Sequence, residues 1–197
     1  MAYNDNAVLT AATGFVYTGD VDTVAPTPTE IGAGLDLLDP SAWTATGWVD
    51  VGHTSRGDLP EFGSDGGEQE IKGTWQKQKL RNVVSDSPVD YVSVVLNQFD
   101  ADALELYYGA NSSTEVGVFG VVGDVVEAVE KAIFIVIEDG DAQLGFWAPT
   151  ASITRDDSIT LATDEFSALP IKATFLSSGD LNLFEWINTD LFPNAGP

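Results

Sequence analysis

The feature that most constrains this fold is the run Lys131-Ala132-Ile133-Phe134-Ile135-Val136-Ile137, with Glu138-Asp139-Gly140-Asp141 and Gln143-Leu144-Gly145-Phe146-Trp147-Ala148 after it. An unbroken β-branched and aromatic run bounded by turn residues reads as a buried strand. The acidic, glycine-containing tetrapeptide supplies a hairpin turn, and the aromatic segment beyond it is the return strand.

The rest of the chain repeats this chemistry. Strands are predicted at 14–19, where Phe15-Val16-Tyr17-Thr18 lies between two glycines, and at 43–51, which holds Trp43, Trp48, Val49 and Val51. Residues 69–81 alternate polar Glu70, Lys72, Thr74, Gln76 and Gln78 with Ile71, Gly73, Trp75 and Lys77, which describes a strand with one wet face. Further strands fall at 89–96, 151–154, 158–161 and 171–176. One helix is expected after Asp100, an N-cap, with Leu104, Tyr107 and Tyr108 as its apolar stripe and Gly109 as its stop. Between the strands, 20–41 is a Pro- and Gly-containing loop with a short helical turn near 35–38. Residues 52–68 read as a long loop or the tip of an extended ribbon. Many short strands with a single helix predict a mainly β domain, a β-sandwich or partly open barrel with one short flanking α-helix, over residues 1–179. Residues 180–197, with Leu183, Phe184, Trp186, Ile187, Leu191 and Phe192, read as a C-terminal arm.

Composition narrows the chemistry. Cysteine is absent and His53 is the single histidine, so disulfides, thiolate zinc sites and multi-histidine metal sites are excluded. The N-terminus lacks a basic n-region and an apolar h-region, and the longest apolar runs are far too short to cross a bilayer, so a soluble, cytosol-made protein with no membrane partner is expected. Eight basic residues against 31 acidic ones leave a net charge of −23, a surface that repels nucleic acid. Half of the basic residues, Lys72, Lys77, Lys79 and Arg81, sit together in an acid-free stretch. Regions of opposite sign on one chain suit contact between copies of it.

Enzymatic and cofactor motifs fail on inspection. Gly117, Gly120 and Gly123 do not have dinucleotide-fingerprint spacing, and no phosphate-binding loop is present. Counted from Asp139, a calcium loop would need Gly and Glu where Leu144 and Thr150 stand; an irregular calcium site shared between subunits stays open. Acidic pairs for glycoside hydrolysis are too numerous to be informative. A serine triad would have to use His53, which has no nucleophile elbow near it. Trp75 within the basic stretch is the pairing found in single-strand nucleic-acid binders, but overall acidity favours a solvated or subunit-contacting strand face. No catalytic residue, metal or cofactor is expected.

Four segments, taken in order, resemble the tail tube (major tail) proteins of long-tailed, siphophage-type bacteriophages. They are the Gly14-Phe15-Val16-Tyr17 strand with its Pro/Thr-rich loop and Trp48-Val49-Asp50-Val51-Gly52-His53-Thr54-Ser55; Glu70-Ile71-Lys72-Gly73-Thr74-Trp75-Gln76 with Leu80-Arg81; Asn97-Gln98-Phe99-Asp100 running into Leu106-Tyr107-Tyr108-Gly109; and the acidic hairpin followed by Ala148-Pro149-Thr150-Ala151-Ser152-Ile153-Thr154. The resemblance implies a virion protein that self-assembles into stacked hexameric rings, with inner strands of each subunit joined in a barrel around a lumen for double-stranded DNA ejection. It implies other tail proteins as partners: tape measure, tail terminator and distal tail protein. It makes 52–68 the stacking loop, with His53, Arg56, Leu59, Glu61 and Phe62 as contacts. It also makes Phe184, Trp186 and Phe192 of the arm inter-ring contacts, and Glu70, Thr74, Gln76 and Gln78 lumen-facing.

Rival readings are a carbohydrate- or receptor-binding virion decoration module, which five tryptophans would suit, and a hydrolase using an acidic pair. The tube protein of a contractile tail or secretion machine is a close structural cousin.

Overall fold

The computed structural model describes residue 3 and residues 7–84, 86–123 and 128–193. Among the described residues ten strands carry the fold: β1 (Thr13–Gly19), β2 (Val49–Asp50), β3 (Glu61–Asp65), β4 (Gln69–Lys72), β5 (Arg81–Val84), β6 (Val89–Leu96), β7 (Val129–Asp139), β8 (Ala142–Arg155), β9 (Leu169–Phe175) and β10 (Glu185–Ile187). With them are α1 (Pro28–Ala33) and α2 (Ala101–Tyr108). Eight strands form one antiparallel sheet in the order β2-β1-β7-β8-β9-β6-β3, with β10 paired to β8 beside that path; β4 and β5 form a separate two-stranded ribbon.

The β7–β8 hairpin is the centre of the sheet, and the reason is in its composition. Ile133 and Ile135 face one buried cluster while Ala132, Phe134 and Val136 face a second, so β7 is apolar on both sides. Strands covered on both faces read as continuous apolar runs. The predicted strands at 143–148 and 151–154 are one element, because Pro149 does not break β8. It falls at an irregularity where the β7–β8 register shifts between Lys131 and Ile133, and a bulge removes the need for a backbone donor. β8 then presents residues 145–147 to β10 and 151–155 to β9.

The sheet curls. Val51 N–H donates to Val16 of β1 (3.0 Å) and Ser55 N–H donates to Val95 of β6 (2.8 Å), so residues 49–55 strap the two ends of the sheet together. Among the described residues the end strands β2 and β3 do not pair with each other, so the fold is mainly β and antiparallel as expected, with no closed barrel.

The second cluster is closed by the 20–48 segment. Aromatic bodies are buried while their polar tips reach backbone carbonyls: Tyr17 Oη donates to Leu37 (2.7 Å), Trp43 Nε1 to Asp36 (2.8 Å), Trp48 Nε1 to Val24 (2.9 Å) and Trp147 Nε1 to Thr23 (2.9 Å). Burial, with help from Asp50, Asp36 and Glu138, raises the Tyr17 pKa strongly, so this phenol stays a donor. Two expectations are corrected here. The helical turn lies at Pro28–Ala33 instead of 35–38, because Thr27 and Glu30 form a capping box and Pro28 occupies the first turn. Of residues 43–51 only Val49–Asp50 is strand; Trp43 and Trp48 plug the core from loop backbone.

α2 starts and stops where predicted, but its buried face differs from the expected stripe: Leu104 and Tyr108 are only half-buried, and Tyr107 is the one stripe residue in the core. Asp100 Oδ1 accepts the Ala103 N–H (2.9 Å), which lowers its carboxyl pKa, and Ala103, Leu106 and Tyr107 are buried. The 158–161 strand is reduced to one bridge, Thr160 with Ala168.

Candidate assembly surface

Gly66 and Gly67, both at positive φ, turn the chain out of β3 into the β4–β5 ribbon. Its base is anchored where Lys172 Nζ meets Asp65 at 2.7 Å and sits 3.6 Å over the Tyr91 ring. The hydrogen bond that Lys172 donates to Asp65 is the main cause of the raised Lys172 pKa. At the far end, Leu80 N–H donates to Lys72 (3.0 Å), while Thr74 and Lys77 exchange backbone hydrogen bonds of 2.7 and 3.1 Å. A side chain at Gly73 would run into the Gln78 carbonyl, so the turn needs glycine there. The single strand predicted over 69–81 is thereby corrected. Gln69–Lys72 is strand and Arg81 begins the next one, while Thr74, Gln76 and Gln78 belong to the tip, because the chain reverses locally.

Residues 70–80 are all exposed, among them Ile71, Leu80 and Trp75, the last 97% exposed. Lys72 lies directly opposite Arg81. Like charges in directly opposed positions are unfavourable. Lys72 has Glu70 at 3.3 Å, whereas Lys77, Lys79 and Arg81 form no ion pair among the described residues.

The 52–68 segment, read as a long loop or the tip of an extended ribbon, gives about a third of its length to the sheet. Thr54 bridges Leu96 and Glu61–Asp65 is strand, because β6 offers a free edge. His53, Arg56, Leu59 and Glu61 remain exposed. Phe62 is only half-exposed, its ring 4.6 Å from Phe146 and 5.1 Å from Trp186. A groove of about 650 Å³ runs between this segment and β1, with Arg56, Leu59 and Phe62 on one wall and Gly14 to Val16 on the other.

The arm is also partly absorbed. β10 docks on β8, and Phe184 and Trp186 pack 5.6 and 4.9 Å from Phe146. Beyond it, Phe192 lines a second pocket of about 580 Å³ with Val24, Pro26, Pro28, Trp147 and Trp186. Sequence reading missed this pocket, although its prolines and tryptophans were visible; nothing local says that 24–28 and 185–193 meet.

Among the described residues no group of His, Asp and Glu could hold a metal ion, and no helix is long and apolar enough to cross a membrane. What the surface offers is open sheet edges, a basic aromatic ribbon and two apolar concavities on a strongly acidic body, the attributes of an assembly subunit. A family model described as phage tail tube protein matches residues 1–197. The chain is 55% identical over 193 residues to "Major tail protein Gp23" of Mycobacterium phage D29, covering 98% of this chain and 96% of the relative. It is 54% identical over 193 residues, with the same coverage, to the protein of the same name from Mycobacterium phage L5. The chain belongs to the phage tail tube protein family. It is a structural subunit of the virion tail and not an enzyme.

Proposed function

We propose that copies of this chain close into hexameric rings that stack end to end, and that the tube is the conduit for genome DNA ejection into the host. The observation that carries this reading is the ribbon, whose exposed Ile71, Trp75 and Leu80 lie among cations on a molecule of net charge −23. A projecting apolar and basic element on an acidic body suits a neighbour that is itself acidic. The unpaired outer edges of β2 and β3 support lateral joining, since edge pairing removes a template for indiscriminate aggregation. Heterologous contacts along an axis propagate without limit and give a filament.

In this tube His53, Arg56, Leu59 and Glu61 form inter-subunit contacts beside the groove, and Phe192 does so at the chain end. Phe62, Phe184 and Trp186 contribute chiefly by holding the arm in place. Glu70, Thr74, Gln76 and Gln78 lie along the lumen wall where the ribbon passes between rings. Net acidity lets a duplex slide without being gripped. Tape measure, terminator and distal tail proteins cap or fill the tube. Negative-stain microscopy of the purified protein tests the proposal: rings or tubes are expected, and a monomer that stays single at high concentration even with tail components as nuclei refutes it.

A further inference from the structure

Resting on the tube reading above, we propose that the Trp75 tip of one copy seats in the pocket formed by Val24, Pro26, Pro28, Trp147, Trp186 and Phe192 of a second copy. The two surfaces complement each other in shape class and in charge. The tip carries a fully presented indole, and its ribbon belongs to a sheet separate from the body. The pocket, at about 580 Å³, is of the size that accepts a large side chain or small ligand, and its lining is mainly apolar and aromatic. Glu185 sits in that lining, where its carboxylate can accept the indole N–H or face an ammonium.

Charge selects the partner. No basic residue occurs before Arg56 or after Lys172, and none occurs between Lys131 and Arg155, so every segment that builds the pocket is free of cations. Glu30 and Asp190 lie on those same segments, Glu30 on α1 directly behind Pro28 and Asp190 next to Thr189 of the lining. The ribbon is the reverse, acid-free from Gly73 to Val84 with Lys77, Lys79 and Arg81 unpaired among the described residues. Acids of a second copy would also relieve the opposition of Lys72 and Arg81 across the ribbon. Because tip and pocket are different surfaces, the contact is heterologous and suits an open-ended chain of copies.

The chain has no cysteine, so introduced thiols report without background. Full-length Gln76→Cys and Val24→Cys proteins are mixed, assembled and oxidised, and the double variant is treated alike. A disulfide-linked dimer from the mixture and a covalent ladder from the double variant are expected, both confined to the assembled fraction. Trp75→Ala should raise the concentration needed for assembly at least tenfold while leaving the melting temperature of the monomer unchanged, and Glu185→Lys should restore assembly to a Lys77→Glu, Lys79→Glu protein. Normal tubes with no tip-to-pocket cross-link, or normal assembly of Trp75→Ala, overturn this contact and leave the tube reading standing. Wild-type protein that never assembles overturns both. Shielding of the tip thiol by single-stranded oligonucleotide and not by assembly overturns the contact in favour of nucleic-acid binding.

Discussion

Replacing Phe146 with alanine removes the ring on which Phe62, Phe175, Phe184 and Trp186 converge, with centroid separations of 4.6, 5.3, 5.6 and 4.9 Å. Phe146 is 1% exposed. Truncating a buried phenylalanine costs about 3–5 kcal/mol from lost transfer energy and the cavity left behind. Its partners come from β3, β9 and the β10 region, so collapse around the cavity would need several elements to move together, and we place the loss at the upper end of that range. For a domain of this size each kcal/mol lowers the melting temperature by about 2–4 °C, so a fall of roughly 8–20 °C is expected. The assay is circular dichroism of the monomer at low concentration, since assembly would shift the apparent stability. Hydrogen exchange adds a second reading: amides of Glu185–Ile187 should lose protection before those of β7, because Phe146 is what holds Phe184 and Trp186. A double cycle with Phe184→Ala should show coupling of about 0.5–3 kcal/mol. A loss under about 1 kcal/mol, or unchanged protection of β10, would refute the claim that this ring joins the arm to the domain.

Thr27→Ala removes the side-chain half of the α1 capping box, where the hydroxyl accepts the Glu30 N–H, and leaves the residue 27 N–H donating to the Glu30 carboxylate; it should cost about 1 kcal/mol by urea denaturation, and an unchanged midpoint would mean that this backbone bond and Pro28 suffice to hold the turn. The Glu30 carboxylate accepts from Thr27 and Thr44 and is held down to about 2 from an ordinary 4.5. Its folded pKa lies below the unfolded one, so its contribution is complete above about 4.5 and is lost as pH falls toward 2. NMR titration should find that midpoint, and Glu30→Gln should flatten this part of the acid-unfolding curve. Gly145→Ala should destabilise by about 1–3 kcal/mol, because a Cβ there would lie 2.9 Å from Ile31 Cδ1 and 3.1 Å from the Phe134 ring. A melting temperature equal to wild type would show that α1 is free to shift.

Several elements were legible in the sequence because their determinants are local. Asp100 and Gly109 bracket α2 within one short segment, and Gly140 closes the β7–β8 turn between two apolar runs. The α1 capping box is equally local, yet prolines on either side made the region read as loop. The single strand read over 69–81 misled because period-two alternation continues through a tip whose reversal depends on Gly73 and backbone bonds between Thr74 and Lys77. Residues 43–48 misled for another reason: tryptophans are as valuable in a core plug as in a strand, and only the carbonyls of Asp36 and Val24 decide which.

The sequence by itself determined that the protein is β-rich, cysteine-free and strongly acidic, since periodicity, turn residues and net charge are properties of a chain read in order, while its place in an assembly came from the resemblance of four segments to a family. Tertiary structure alone decided which exposed-looking aromatics are spoken for. Phe184 and Trp186 are drawn onto Phe146, while Trp75 is left in solvent and Phe192 stays exposed at the wall of the pocket it shares with 24–28. All four are large apolar groups in polar surroundings on paper. Burial depends on what distant strands bring within about 4–5 Å, and no local pattern encodes that.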